Sequence, residues 1–235
     1  MKLLDKFFDL VYPPKCPFCK EILEDTIPIC SECMDNIPLI EDETCECCGR
    51  PVEELSYRLC SECNDEKMYF EHSFVPLVYK DDAREVILAL KHNQHPYYAK
   101  ALAFLIADKI LTSEFYTQFD CITCVPEARK RIKKRGYNHA ELIAKELSKI
   151  LNIPYVKTLV RINTSKTQAD LGKEERKANV RKSYLPGDKT FDGGTVILVD
   201  DVYTTGATTN YCAKLLRKIG FEKVYLGIAT IRCYD

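Results

Sequence analysis

Residues 196–208 read Val-Ile-Leu-Val-Asp-Asp-Val-Tyr-Thr-Thr-Gly-Ala-Thr. The first four are apolar and three of them are β-branched, which predicts a buried strand of a parallel sheet. Asp200 and Asp201 follow where that strand is expected to end. Hydroxyl residues then surround Gly206, and a helical pattern runs from Tyr211 to Ile219. A strand, a tight polar loop and a helix start form an anion cradle. The first amides of a helix lack internal partners, and the helix dipole favours negative charge there. Thr204, Thr205 and Thr208 add hydroxyl donors, and Gly206 lets the backbone come close. Two carboxylates cannot bind phosphate directly. Adjacent sugar hydroxyls, met directly or through a metal ion, are their natural partners. The stretch calls for a phosphorylated, hydroxyl-bearing ligand.

Strand and helix patterns alternate around it. Strands are expected at 73–80, 119–125, 153–160 and 223–231. Helices are expected at 84–91, capped by Asp82, at 97–111 behind Pro96, and at 138–151. Such alternation implies a parallel sheet with right-handed crossovers, and ligands bind at the carboxyl ends of its strands. The α/β domain is therefore expected over 71–235, after a smaller cysteine-rich domain over 1–70.

Thirteen cysteines are present. Eight form C-x-x-C knuckles: Cys16/Cys19, Cys30/Cys33, Cys45/Cys48 and Cys60/Cys63. Knuckles of this kind place four thiolates around Zn²⁺, and the unit occurs twice. Sequential sites would take Cys16, Cys19, Cys30 and Cys33, then Cys45, Cys48, Cys60 and Cys63. A cross-braced arrangement would pair the first and third knuckles; short hairpins favour the sequential one. Four closed thiolates leave no position for substrate, so both zincs are structural. Each would supply about 10–16 kcal/mol of binding energy to a segment with little core. Cys47 is spare. Cys121 and Cys124 fall on opposite faces of a strand and read as buried, inert thiols, as do Cys212 and Cys233.

No apolar run approaches the roughly 20 residues of a membrane span. The first eleven residues carry charges that interrupt their apolar stretch, so they do not read as a secretion signal. Leu3, Leu4, Phe7, Phe8 and Val11 instead fit one face of a short helix docking on the protein body, or on a membrane surface. Without a secretion signal, metal ligation in the cytoplasm explains the cysteines better than disulfides do. The formal net charge of −1 gives no global field for nucleic acid, so any such role rests on local patches.

The strongest patch is Arg129-Lys130-Arg131-Ile132-Lys133-Lys134-Arg135, with six cations in seven positions. It follows the strand ending at Val125-Pro126, on the same sheet edge as the acidic pair. Pyrophosphate matches guanidinium forks. A nucleic-acid backbone is a second candidate and a solvated helix face a third. Residues 161–195 are polar, with a short helical piece near 173–182. A loop that long is a lid over a reactive sugar or a surface insertion.

The string 196–208 resembles the phosphoribosyl pyrophosphate (PRPP) loop of type I phosphoribosyltransferases. The whole order is similar to the ComF family of competence proteins: the double ribbon, the basic segment ending Arg135-Gly136-Tyr137-Asn138, a stretch with Thr164, Gln168, Arg176 and Asn179, and the PRPP-type loop. His139 stands where relatives often have Gln. The resemblance implies a type I phosphoribosyltransferase-like parallel sheet with an N-terminal double zinc-ribbon domain. It assigns Asp200 and Asp201 to the ribose as the catalytic pair, and Thr204, Thr205, Gly206, Ala207 and Thr208 to the 5′-phosphate. Arg129 and Arg135 would lie near pyrophosphate, Gln168 and Arg176 on the lid, and a base-recognition hood within 71–115. The implied chemistry is Mg²⁺-dependent displacement of pyrophosphate from PRPP by a nitrogen nucleophile. The implied setting is uptake of transforming single-stranded DNA, with a helicase-like ATPase and recombination-loading proteins as partners. A non-catalytic PRPP-sensing adaptor that binds single-stranded DNA is the alternative.

Overall fold

The computed structural model describes residues 13–23, 27–41, 43–52, 58–92, 95–114, 116, 119–162, 183–187 and 190–233. The expected N-terminal helix and the stretch 163–182 fall outside them.

The centre is a parallel sheet. Strand β6 (Thr195–Tyr203) pairs with β7 (Lys223–Ile231) from Thr195↔Lys223 to Tyr203↔Ile231, and with β3 (Cys121–Cys124) on its other edge. The far edge of β7 receives two short strands, β1 (Ser73–Phe74) and β2 (Leu77–Val78), both parallel to it. The pattern over 73–80 predicts one strand. Pro76 divides it, because proline offers no N–H to the ladder.

Helices cover both faces, which is why the central stretches of the strands, such as Val196–Val199 and Val224–Ala229, are apolar. Helices α3 (Asp81–Lys91), α4 (Tyr98–Leu111) and α6 (His139–Leu151) pack on one side, against Ile122, Cys124, Ile197, Val199 and Tyr225. Helix α7 (Ala207–Lys218) packs on the other, against Cys121, Val196, Leu198, Val224 and Leu226. Cys121 and Cys124 thus fall on opposite faces, and burial pushes their thiols up to about 11 and about 12. Cys212 is buried as expected, whereas Cys233 is exposed. The described residues of 71–114 form the sheet edge and two core helices.

The expected strand over 153–160 is only a bridge. Tyr155 pairs parallel with Ile122, and the chain then leaves the sheet. Strand β4 (Leu159–Arg161) joins β5 (Tyr184–Pro186) in a separate antiparallel pair. The polar composition around β5 hides it in the sequence. Helix α5 (Arg129–Arg135) carries the basic cluster and ends at Gly136, at φ +91°.

The cysteine repeat folds as two copies of one unit. In each, a knuckle turn sits inside a small antiparallel bridge: Lys15↔Ile22 in the first, Thr44↔Pro51 in the second. The third cysteine of each unit then caps a short helix, Cys30 before α1 (Ser31–Asn36) and Cys60 before α2 (Ser61–Asp65). The connecting segment lies against β2: Leu39 pairs with Leu77, and Ile40 N–H donates to the Pro76 carbonyl at 2.8 Å. The first ribbon contributes Cys16, Phe18, Ile29 and Ile37 to the core on the α3/α4 side. The second contributes Cys45, Cys47, Cys48 and Cys63 to the α7 side. Among the described residues no helix is long and apolar enough to cross a membrane.

Candidate active site and zinc centres

The thiols of Cys16, Cys19, Cys30 and Cys33 gather in one group, and those of Cys45, Cys48, Cys60 and Cys63 in another. Pairing is therefore sequential. The Sγ atoms of Cys19 and Cys30 are 3.6 Å apart, as are those of Cys48 and Cys60. A tetrahedron with Zn–S bonds of about 2.3 Å has S···S edges of roughly 3.8 Å. Both clusters fit Zn²⁺ and leave no open ligand position.

The second site lies at the carboxyl edge of the sheet. Strand β6 does not stop before the acidic pair, as its apolar run suggested. It continues through Asp200 and Asp201 to Tyr203, because β7 offers partners as far as Ile231. Asp201 is 8% exposed, and its main-chain carbonyl accepts from the Thr230 hydroxyl at 3.1 Å. Its carboxylate Oδ2 lies 3.2 Å from Lys91 Nζ and 3.5 Å from His139 Nδ1. The Asp200 carboxylate accepts from Asp201 N–H at 2.9 Å. Burial, and then the neighbouring Asp201 charge, push the Asp200 carboxyl up to about 8.

His139 sits in the first turn of α6, behind Asn138, whose side chain caps that helix by accepting from Ala140 N–H at 3.2 Å. The His139 ring is buried, which lowers its basicity. Arg135 Nη1 lies 3.2 Å from His139 Nε2. A guanidinium can only donate, so Nε2 accepts and the ring proton rests on Nδ1, facing Asp201.

Lys91, Arg131, Arg135, His139, Asp200, Asp201 and Thr208 line one open cleft of about 330 Å³. Glu127 and Arg161 share its wall through a 2.9 Å ion pair, and Glu127 also meets Arg131 at 3.4 Å. Arg129 instead lines an adjoining cavity, beside Glu141 and Lys157. Of the two arginines expected at pyrophosphate, the fold brings Arg135 to the acidic pair and sets Arg129 apart, with Arg131 in the cleft in its place. Gln168 and Arg176 lie outside the described residues. The strands that flank them meet the cleft through Arg161 and Tyr184.

The loop after β6 turns at Gly206, at φ +70°, which is also the N-cap of α7. Thr204 and Thr205 are exposed, and Thr209 Oγ1 closes the turn on the Gly206 carbonyl at 3.0 Å. Of the loop residues expected at a phosphate, Thr208, in the first turn of α7, lines the cleft with Asp200 and Asp201. The helix is expected from Tyr211; it begins a turn earlier because Ala207, Thr208 and Thr209 continue it.

Lys91 is a cleft residue that sequence reading missed, as are Glu127, Arg161 and Tyr184. A lysine in the last turn of a helix reads as a complement to the helix dipole. Nothing local shows that α3 ends over β6.

Parallel sheet, acidic pair, anion loop and basic wall define a phosphoribosyltransferase-type domain, here joined to two zinc ribbons. Residues 93–231 match the phosphoribosyl transferase domain family, and residues 7–64 match the double zinc ribbon domain. Competence protein F of Haemophilus influenzae is 27% identical over 222 residues, covering 85% of this chain and 96% of that protein. DNA utilization protein YhgH of Escherichia coli K12 is 28% identical over 203 residues, covering 83% and 87%. Competence protein ComFC of Bacillus subtilis is 26% identical over 207 residues, covering 85% and 82%. The chain belongs to the phosphoribosyl transferase domain family and, with its double ribbon and these relatives, to the ComF family.

Proposed function

We propose that the cleft binds magnesium-bound PRPP and that the protein acts in the cytoplasm in uptake or use of transforming DNA. One observation carries the ligand assignment. Asp200, Asp201, Thr208 at the start of α7, Lys91 and Arg135 line one cleft. Each group has a matching part of PRPP. The carboxylates suit ribose hydroxyls, the start of α7 suits the 5′-phosphate, and the cations suit pyrophosphate. Adjacent carboxylates with substrate oxygens also form the hard donor set that Mg²⁺ takes.

The reaction this ligand offers is substitution at C1. A nitrogen nucleophile forms the new bond and loses a proton, and the C1–oxygen bond breaks to release pyrophosphate. Positioning and charge stabilisation would account for most of such catalysis, so no protein nucleophile is required.

The DNA role rests on the similarity to two competence proteins and a DNA utilization protein. It is also supported by the outer side of α5. Lys130, Lys133 and Lys134 are exposed there, while Arg131 and Arg135 line the cleft. This two-sided helix favours the second reading, a PRPP-responsive adaptor whose lysines meet a phosphodiester backbone.

Calorimetric titration with PRPP and Mg²⁺, followed by pyrophosphate release assays with a panel of nucleobases and amines, tests both readings. Binding with turnover supports the transferase. Binding without turnover, together with salt-dependent binding of single-stranded DNA lost on neutralising Lys130, Lys133 and Lys134, supports the adaptor. Absence of PRPP binding refutes the ligand assignment.

A further inference from the structure

The second zinc ribbon is built onto the anion loop. Arg50 follows Cys48 by two residues and is 8% exposed. Its Nη2 lies 2.8 Å from the Glu62 carboxylate, between Cys60 and Cys63 in sequence, and donates to the Thr204 main-chain carbonyl at 3.1 Å. One guanidinium thus ties a zinc knuckle to the first residue of the loop. Tyr203 adds a second contact. Its ring is 2% exposed, shares a packing cluster with Cys45, Cys47, Cys48 and Cys63, and lies directly under Gly206. The strap after the ribbon adds a third. Asn210, in the first turn of α7, accepts from Tyr69 N–H at 2.9 Å and donates to the Lys67 carbonyl at 3.0 Å. The first ribbon packs on the opposite face of the sheet, against α3 and α4.

We propose that the second ribbon is a positioning element of the anion loop, with Arg50 its key positioning residue, so that zinc at the second site and PRPP at the loop bind cooperatively. The proposal rests on the PRPP reading of the cleft. The physical basis is that the loop's conformation is fixed from below by groups whose own positions depend on the Cys45/Cys48/Cys60/Cys63 cluster. Without the metal, those four thiols have no common centre, and Glu62 and Arg50 lose their fixed backbone. The N–H groups that face the phosphate would then be ordered only at the expense of binding. Reciprocity follows: a ligand that orders the loop must tighten zinc at the second site by the same factor that zinc tightens the ligand. The first site, on the other face, is outside this linkage.

The test uses the full-length protein. Cadmium substituted for zinc gives one NMR resonance per four-cysteine site, and PRPP with Mg²⁺ is added. The expected result is that one resonance moves, and that Arg50→Met perturbs the same one. Arg50→Met should keep two metals per chain, weaken PRPP roughly tenfold, as expected for loss of a charge-assisted hydrogen bond, and abolish the PRPP-induced shift. Arg50→Lys, which keeps one charged donor, should recover part of the affinity. In wild-type protein, equilibrium competition with a chelating dye should show one site tightened at least about fivefold by PRPP and the other unchanged. PRPP binding that leaves both resonances in place, or moves both alike, overturns the coupling even if the Arg50 variants fail to fold. So does wild-type affinity in Arg50→Met. If wild-type protein does not bind PRPP at all, the ligand assignment fails first and the coupling falls with it.

Discussion

Replacing Gly206 with alanine should collapse the anion loop, and the structure gives the size of the effect. Gly206 has φ +70°, a conformation that costs an L-residue about 1–2 kcal/mol. A methyl group there would also sit 2.1 Å from the Tyr203 hydroxyl oxygen and 2.4 Å from Cζ. Tyr203 cannot yield easily, because it is buried between the loop and the second ribbon. Overpacking of this kind costs about 1–3 kcal/mol more. The sum is roughly 2–5 kcal/mol, a large share of a domain's stability. Gly136 is the matched control. Its φ is +91°, but nothing lies within 4 Å of the position a Cβ would take. Gly136→Ala therefore suffers only the conformational cost, about 1–2 kcal/mol. Urea unfolding in the presence of zinc should place Gly206→Ala at least about 1 kcal/mol below Gly136→Ala. Calorimetry should show PRPP binding lost only in the former. Adding Tyr203→Phe should not restore it, because the ring carbon still clashes after the hydroxyl is gone. Equal stability of the two alanine variants, or full PRPP affinity in Gly206→Ala, would refute the account of the loop as rigidly seated on Tyr203.

Three further outcomes follow from the same geometry. Burial and the Asp201 charge hold the Asp200 proton up to about pH 8, so the folded state is destabilised by this group as pH rises from about 4 through about 8. Asp200→Asn should raise the melting temperature most at pH values above about 8 while weakening PRPP; parallel melting curves for variant and wild type across that range would contradict the assignment. Lys91 is the counter-ion of Asp201 in the free protein and a free cation once ligand takes the carboxylate, so Lys91→Met should weaken PRPP roughly five- to tenfold at low salt and less at high salt. Titrations at two ionic strengths check this, and an unchanged affinity would remove Lys91 from the site. Metal analysis should give two zinc ions per chain, with Cys19→Ser and Cys48→Ser each losing one; loss of both from either variant would contradict independent, sequential ribbons.

Much of this protein was legible in local sequence because the relevant constraints are local. The C-x-x-C spacing fixes thiolate geometry within a few residues. The run Val196–Val199, apolar and mostly β-branched, reads as a strand covered on both faces, and Gly206 among threonines marks a helix start. The repeat of the knuckle unit, the parallel order of the sheet and the strand–loop–helix turn at Gly206 all follow from such patterns. The tertiary structure decided what depends on partners distant in sequence. Sequential rather than cross-braced pairing of the knuckles needed the hairpins to be folded. The length of β6 was set by β7 rather than by its own hydropathy, and this drew Asp200 and Asp201 into the strand. Arg135 enters the cleft and Arg129 does not, because α5 is a helix and its residues project in different directions from one axis. Lys91 carries no local mark of a site. It becomes one because α3 ends over the edge where Asp201 emerges. The tie between Arg50 and Thr204, 154 residues apart, is of the same kind. Spacing along a chain can determine the groups a short segment presents. Which of them meet is set by the packing of elements that sequence order leaves far apart.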